Sequence, residues 1–535
     1  MFYPYLNWIN HYKEVLLNPS PFTLKNDKQS PNSQTRDISL RGILYTNISV
    51  QDTSDGKLLS NLLNLDVLET IRVICQTNKK IPCKTAPPQL EAIKSKLHDE
   101  KYYENKRLQL YSSKILRERR IILKIVTELL NNKSNSYASS SIQNLGKEIF
   151  LSKQYLESLI ESIGKASQSL MKRSYITGIN KEIDETIHNE TVLFCIEACK
   201  VLIELSVQNA NVDAQAVHSW FKLMRDTNYS VALGPYVSYH EAFSILQGLF
   251  TVLTIQYLNL NNSFDSSMKL CPAHIWQMYS WSIILLRKFY FLQEYPELPN
   301  SEKFLSQFNL SQLEHTINLV NQKCDNLDVF SSLKKLNELL KFDKLYSAIL
   351  STLIIASLPL ITLTSEVTSC ILSIIGNCPN NVIESFFENN ATQNAIIIAR
   401  TKFPLILSPY IQVASINGNF ALHEFNDLKS YIQVFKKEEF NNMYQIDDQN
   451  TELVKTTKFI DVYPPFEANK KLSMVLSLGT KAKILPSANP DEVLVTFLYN
   501  YNGWAFLGRV LQNVSKIFNN SDSETMELVI NILNY

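Results

Sequence analysis

One group of side chains in the sequence has the residue types and the spacing of a metal site. His188, Cys195 and Cys199 are separated by seven and four residues, so on a helix they would share one face, as zinc ligands do. The same face also carries apolar residues, among them Val192 and Leu202. Because an unpaired cysteine commonly packs as a small hydrophobic residue, these positions favour the apolar stripe of a core helix over a metal site.

The densest basic stretch of the chain has the chemistry to meet phosphate or an acidic partner. Arg117, Arg120 and Lys124 would line one face of a helix, and isoleucines fill the other side. Lys114 and Glu118 stand four residues apart, a spacing at which opposite charges pair on a helix. The pattern favours a solvated helix face, and contact with an acidic patch of a partner protein is the functional alternative.

No catalytic or nucleotide-binding motif with specific spacing occurs in the sequence. The chain contains no G-x-x-x-x-G-K-[ST], G-x-G-x-x-G, G-x-S-x-G or H-E-x-x-H segment, which are the patterns of phosphate cradles, nucleophile elbows and zinc proteases. Its acidic residues are scattered, without an isolated pair that would indicate a general acid and a general base. The sequence therefore predicts no catalytic residues, no cofactor, no metal and no enzymatic activity.

The composition of the 535 residues indicates a globular, helix-rich protein. Hydrophobic residues make up 45% and charged residues 19% of the chain, which excludes a disordered protein. The 52 Lys+Arg nearly balance the 51 Asp+Glu, so a chain that wraps nucleic acid along its length is disfavoured. The 12 glycines are about a third of average usage, too few for a turn-rich β-sandwich.

The cysteines and the most apolar stretch indicate a reducing compartment and no membrane span. The eight cysteines are scattered without a disulfide framework, and the N-terminus lacks a secretory signal. Residues 345–365 carry no charge, but they include several hydroxyl side chains and Pro359. Two buried helices, the second beginning at Pro359, therefore explain this stretch better than a membrane span.

The spacing of apolar residues predicts an all-α fold. They recur at intervals of three and four along most of the chain, as in helices with a wide buried stripe. Short junctions make successive helices antiparallel neighbours, and no repeat of fixed length is present. We therefore predict an irregular α-solenoid of HEAT- or armadillo-like helix pairs, with a compact multi-helix globule as the alternative. Predicted helices include 328–341, 379–402 and 424–439.

The last eighty residues change character. Residues 472–485 and 493–499 have the pattern of two β-strands joined by a turn, which predicts a small β-hairpin near the C-terminal end. A last amphipathic helix from Ser523 has no cap, which predicts a chain truncated from a longer protein. The predicted domains are a helical solenoid at 1–460, a β-hairpin element at 461–500 and resumed solenoid helices at 501–535.

Four stretches together resemble a known family. They are Leu110–Leu130, Ile142–Phe150, Gly479–Leu485 and Phe497–Asn513, the last containing Tyr-x-Gly-Trp followed by Leu-Gly-Arg. In this order they resemble the scaffold nucleoporins of the one-eighty-eight class, large α-solenoid proteins of the inner ring of the nuclear pore complex. The composition, rich in Asn and poor in Gly, is similar to that of a yeast member. The resemblance implies an N-terminal fragment.

The resemblance also implies a function. Members are non-enzymatic structural scaffolds at the nuclear envelope that support nucleocytoplasmic transport of protein and mRNA by binding other nucleoporins. The implied partners are the linker nucleoporin of the inner ring, pore-membrane proteins and Phe-Gly repeats, with no direct nucleic acid contact and no transmembrane span. The alternative is a karyopherin-like soluble transport receptor or adaptor that binds Phe-Gly repeats.

Five residues match the family motif near the C-terminal end, and we expect them to be structural. Trp504 is expected to wedge the hairpin against the resumed helices, and Gly503 and Gly508 to allow close backbone approach. The complete set is Tyr501, Gly503, Trp504, Gly508 and Arg509.

Overall fold

Amphipathic segments of the sequence form helices throughout the described part of the chain. The computed structural model divides into two units, Met1–Cys324 and Asp325–Tyr535. It describes residues 50–75 with gaps, 100–132, 140–172 without 152, 181–208, 214–227, 240–260, 275–298, 301–318 with gaps, 329–462 without 342, and 474–514 without 488.

Helices that are close in sequence pack on one another in the N-terminal unit. They are α1 (Val50–Leu63), α2 (Glu100–Asn132), α3 (Ser140–Leu151), α4 (Lys153–Lys172), α5 (Lys181–Gln208), α6 (Ala214–Asp226), α7 (His240–Leu260), α8 (Ile275–Glu294) and α9 (Ser301–Gln307). The long helix α5 contacts α2, α4 and α7, while α6 contacts α4 and α7. Contacts between near neighbours in sequence are those expected of stacked helix pairs.

An aromatic cluster fills the space between α6 and α7. Trp220 is 0% exposed, and its ring centroid lies 5.4 Å from that of Phe250 and 5.7 Å from that of Tyr257, both in edge-on geometry. The Trp220 indole N–H donates to the Thr254 hydroxyl (3.3 Å). The largest side chain of this core is therefore both packed and hydrogen-bonded.

One described helix is long enough to cross a membrane, and it is not the apolar stretch 345–365 noted in the sequence. Among the described residues, Glu241–Leu260 is long and apolar enough to cross a membrane by length and composition, and 61% of its apolar window is buried inside the protein. Such burial is common in core helices of soluble proteins, which satisfy the same criteria. Residues 345–365 form only shorter apolar elements.

The C-terminal unit combines further helices with antiparallel strands. The helices are α10 (Val329–Leu339), α11 (Lys344–Ser357), α12 (Ser365–Ile375), α13 (Asn380–Glu388), α14 (Asn390–Thr401), α15 (Ser408–Ala414), α16 (Gly418–Asn426), α17 (Lys437–Asn441) and α18 (Gly503–Val514). The strands are β1 (Tyr431–Lys436), β2 (Tyr444–Asp447), β3 (Asn450–Thr456), β4 (Ile460–Val462), β5 (Met474–Leu476), β6 (Lys481–Pro486) and β7 (Glu492–Phe497). The predicted all-α solenoid class with a small β element near the C-terminal end is confirmed.

Two helix boundaries differ from the predicted ones because polar side chains cap the helices. Pro359 lies in a 3₁₀ turn, Leu358–Leu360, and α12 begins only after Thr364, whose hydroxyl accepts from the Val367 N–H (3.3 Å). The predicted helix 379–402 is interrupted at Asn389, whose side chain accepts from the Ala391 N–H (2.9 Å). Such side-chain caps satisfy the free N–H groups of a helix start.

The predicted pairing of two strands in a hairpin is confirmed for β6 and β7, which belong to a larger sheet. The prediction of one strand over 472–485 is wrong, because a turn at 477–480 separates β5 from β6. Five antiparallel strands lie in the order β1-β7-β6-β3-β2, and β4 pairs with β5. The prediction of a helix over 424–439 is wrong, because α16 ends at Asn426 and β1 pairs along β7. Phe425, Leu428, Ile432 and Phe435 have helical spacing, but pairing with β7 makes residues 431–436 a strand instead.

The Gly-Thr pair of the motif forms a turn that leads into β6. Gly479 has φ of 79°, a left-handed conformation that favours glycine. The turn is held by Thr456 of β3: the Gly479 N–H donates to the Thr456 carbonyl (2.8 Å), and the Thr480 N–H donates to the Thr456 hydroxyl (3.0 Å). The backbone conformation therefore favours glycine at this position.

A buried carboxylate holds together the strands at one edge of the sheet. Asp447 of β2 is 0% exposed, and its oxygens lie 2.6 Å from the Lys455 ammonium of β3 and 3.2 Å from the Lys481 ammonium of β6. The hydrogen bond from Lys455, the Gln449 N–H and Lys481 together lower the pKa of Asp447 to about 2. The sheet edge therefore depends on an ionised Asp447.

Acid is expected to weaken this edge of the sheet. Because the pKa of Asp447 is lowered on folding, its stabilising contribution is present above the ordinary pKa of 3.8 and is lost as the pH falls towards about 2. Hydrogen exchange of β2 and β3, measured from pH 5 to pH 2, should show this loss. In Asp447→Asn, the amides of β2 and β3 should be less protected at pH 5, and their protection should change less with pH than in the wild type. Asp448 is the exposed neighbour, and Asp448→Asn should behave as the wild type does. Equal slopes for Asp447→Asn and wild type would contradict the prediction.

Candidate functional site

The segment that carries the family motif lies where the sheet meets the last described helix. The Leu428 N–H donates to the Tyr501 carbonyl (3.0 Å), and the Tyr501 N–H donates to the Leu428 carbonyl (2.9 Å). This bridge joins the segment that leads into β1 to the segment that follows β7. Helix α18 then begins at Gly503 and packs against α16.

Phe425 of α16 is the centre of an aromatic cluster at this junction. It is 0% exposed, and the ring centroids of Trp504 and Tyr410 lie 5.3 Å and 5.2 Å from its own. Tyr501 faces the sheet instead, 5.6 Å from Tyr431 of β1. Trp504 thus packs on the helical side of the junction and Tyr501 on the strand side.

The two glycines of the motif differ in their surroundings. A Cβ at Gly503 would lie 2.7 Å from side-chain carbons of both Leu428 and Phe425 and 3.0 Å from the Phe425 carbonyl oxygen. Around Gly508, no atom of the described residues lies within 4 Å of such a Cβ. The predicted close approach is therefore present at Gly503, whereas at Gly508 no described atom comes this near. Arg509 lies in α18, and its side chain is outside the described residues.

The polar side-chain groups of the junction are either paired with one another or buried. Trp504 Nε1 and the Tyr501 hydroxyl are buried and have no hydrogen-bond partner among the described residues. Burial raises the pKa of Tyr501 well above its usual value. Tyr410 donates to Glu424 (2.7 Å), which also pairs with Arg400 (3.2 Å); burial and Glu424 raise the pKa of Tyr410. Tyr410, Glu424 and Arg400 thus connect three helices, and both tyrosines stay protonated at neutral pH.

Substitution of Gly503 should separate the roles of the two glycines. We expect Gly503→Ala to lower the free energy of unfolding of the C-terminal unit by about 1–3 kcal/mol, because the added methyl overpacks the contact with Leu428 and Phe425. Gly508→Ala is the matched control, since it adds the same methyl to the same helix in open space and should stabilise it by about 0.5–1 kcal/mol. Urea unfolding measures both. Similar effects of the two variants would contradict the assignment.

The residues with metal-ligand spacing form part of the core. His188, Cys195 and Cys199 are all buried in α5, and the described residues contain no group of three or more His, Cys, Asp or Glu side chains that could hold a metal. Burial raises the pKa of Cys195 to about 12 and that of Cys199 well above its usual value. Both thiols are therefore protonated at neutral pH, as is usual for cysteines packed in an apolar core.

The basic stretch forms ion pairs within the N-terminal unit. Arg120 of α2 lies 3.4 Å from Glu190 of α5, and Lys124 lies 3.9 Å from Glu197 of the same helix. The acidic groups that meet this face belong to the chain itself, which the spacing within α2 could not predict. Of the two residues, Lys124 remains the more exposed.

Two family models match most of the chain. A family model for the N-terminal part of nucleoporin Nup188 matches residues 7–277 and 272–444, and one for its N-terminal subdomain III matches residues 494–535. The chain belongs to the Nup188 family of nucleoporins. Neither match covers residues 445–493, which contain β3 to β6. The junction motif at Tyr501–Gly508 falls inside the second match.

A curated relative agrees with this membership. Nucleoporin NUP188 of Saccharomyces cerevisiae (strain ATCC 204508 / S288c) is 29% identical over 272 residues, which cover 44% of this chain and 15% of the relative. The chain thus spans a small part of the length of this relative. Nup188-family membership confirms the predicted resemblance and makes the chain a nucleoporin of the nuclear pore complex.

Proposed function

We propose that this Nup188-family chain is a non-enzymatic structural scaffold of the inner ring of the nuclear pore complex and supports nucleocytoplasmic transport by binding other nucleoporins. The observation that carries the proposal is the family match across most of both units. The partners we propose are the linker nucleoporin of the inner ring and proteins of the pore membrane. The chain itself lies at the nuclear envelope without crossing the membrane.

The packing of the helices supports a role in assembly. Each unit has a core of fully buried aromatic side chains, among them Trp220 and Tyr257 in the N-terminal unit and Tyr410 and Phe425 in the C-terminal unit. Surfaces held on such a core lose little conformational freedom when a partner binds, so less of the interaction free energy is spent on ordering. At the motif junction, Glu424 pairs with Tyr410 and Arg400 from two other helices, which also favours a structural role.

Photobleaching at the nuclear envelope tests the proposal. With the protein fluorescently tagged at its own locus, we expect a punctate nuclear rim that recovers over many minutes or longer, because a scaffold component exchanges slowly. A β-karyopherin tagged in the same cells serves as the fast-exchanging control. Recovery as fast as this control would contradict the scaffold role and favour the soluble receptor that binds Phe-Gly repeats. A diffuse cytoplasmic signal would contradict both roles.

A further inference from the structure

We propose that the end of α8 and the turn after it dock a lysine- and arginine-rich segment of a partner protein. The surface, here called the aromatic corner, consists of Tyr290, Phe291, Tyr295 and Leu298. These side chains are 44%, 50%, 46% and 36% exposed. Single exposed apolar residues are ordinary, but a cluster of adjacent ones is characteristic of an interaction surface.

The aromatic corner is held in one conformation. The Phe291 and Tyr295 ring centroids are 5.0 Å apart, and the Tyr295 N–H donates to the Phe291 carbonyl (3.0 Å). The chain then turns, with the Leu298 N–H donating to Tyr295 (3.2 Å) and the Ser301 N–H to Leu298 (3.1 Å). The Ser301 hydroxyl, buried at the start of α9, donates to the Pro296 carbonyl. A partner would therefore meet rings that are already positioned.

Three carboxylates lie close to these rings in sequence, and a fourth contacts one of them. Glu294 lies between the two rings in sequence, and Glu297 lies in the turn; both are exposed, as is Glu302 in the first turn of α9. The Tyr290 hydroxyl donates to the exposed Glu314 carboxylate (3.0 Å). This hydrogen bond is the largest cause that raises the pKa of Tyr290, and the negative charge of Glu314 adds to it.

Among the described side chains near the corner, the arginine and the lysine lie in the preceding turn of α8. Arg287 is exposed there, and burial lowers the pKa of the neighbouring Lys288 to about 7. Among the described side chains of this region the carboxylates therefore outnumber the cations. They would repel nucleic acid and acidic segments.

Two independent features of the corner select the same chemistry. The faces of aromatic rings attract ammonium and guanidinium groups, and the carboxylates pair with the same groups. An apolar partner alone would use the rings but would leave the carboxylates without a role. A cationic segment with interspersed apolar residues uses both, which is why we assign it as the occupant. This site goes beyond the scaffold role and does not depend on it.

Peptide binding to the full chain tests the site. The probe is fluorescein-labelled octa-arginine, followed by fluorescence anisotropy at low salt, with octaglutamate as the reverse-charge control. Glu294→Gln with Glu297→Gln removes two charges, and we expect the dissociation constant to rise about three- to tenfold. Phe291→Leu with Tyr295→Leu keeps apolar surface but removes the ring faces, and we expect a similar rise. All four positions are exposed, so the fold should be retained, as circular dichroism can verify.

A matched pair elsewhere on the chain separates the site from general electrostatic attraction. Glu384→Gln with Glu388→Gln removes two exposed charges from α13 and should leave the dissociation constant within twofold of the wild type. An equal effect of this pair and of the Glu294 and Glu297 pair would overturn the proposal, as would the absence of octa-arginine binding. Unchanged binding in the leucine variant would also overturn it, because the rings would then have no part in recognition.

Discussion

Replacement of Phe425 by alanine is expected to lower the free energy of unfolding of the C-terminal unit by about 3–5 kcal/mol, the usual cost of deleting a fully buried phenylalanine ring. Phe425 is 0% exposed and contacts Trp504, Tyr410 and Phe403. Its loss removes the surface on which α18 packs against α16. Urea unfolding of the full chain, with hydrogen exchange to assign the transition to this unit, measures the effect.

A double-mutant cycle assigns part of this effect to the motif tryptophan. Trp504→Phe retains a ring and removes an indole N–H that has no described acceptor, so it should cost much less than Trp504→Ala. Phe425→Ala and Trp504→Ala are expected to be non-additive by about 0.5–1.5 kcal/mol, the coupling typical of an aromatic pair. Full additivity of the two substitutions would show that the pair does not hold the junction together.

Replacement of Trp220 by alanine should have an effect of similar size in the other unit. We expect a loss of about 3–5 kcal/mol in the free energy of unfolding of the N-terminal unit, because the indole packs edge-on against Phe250 and Tyr257 and donates to Thr254. Hydrogen exchange of α6 and α7 at several urea concentrations measures it.

Two further variants test whether burial causes the effect at Trp220. Trp220→Phe keeps an aromatic ring and should cost less than the alanine variant. Leu151→Ala removes a large apolar side chain that is 72% exposed, so its effect should stay within about 0.5 kcal/mol. A loss for Leu151→Ala as large as that for Trp220→Ala would contradict the explanation by burial.

The sequence was sufficient for features that depend on local spacing. Periodic apolar residues predicted helices, and the alternation in 493–499 predicted the strand that the structure has at Glu492–Phe497. Strand β1 was missed because Phe425, Leu428 and Ile432 fit a helical period equally well. Only the pairing with β7, about sixty residues later, decides between the two periods.

Contacts between distant residues could not be read from spacing within one helix. Arg400 and Tyr410 meet at Glu424 from two other helices, and no pattern near any of them indicates the meeting. The prediction of a close approach at Gly508 had the same weakness, because it rested only on the small size of the residue. Whether a neighbour approaches is decided by the packing of other elements and not by the glycine itself.

The bridge between Leu428 and Tyr501 has a consequence for how this part of the chain tolerates change in length. Because Leu428 and Tyr501 are hydrogen-bonded to each other, residues 429–500 leave the helices and return to them at one point. At this point α16 contacts α18. Loop closure then costs little more when such an excursion lengthens. We therefore expect relatives to differ in length mainly inside it, where 445–493 also falls outside both family matches. It is a natural site for inserting a reporter domain without disturbing the stacking of the helices.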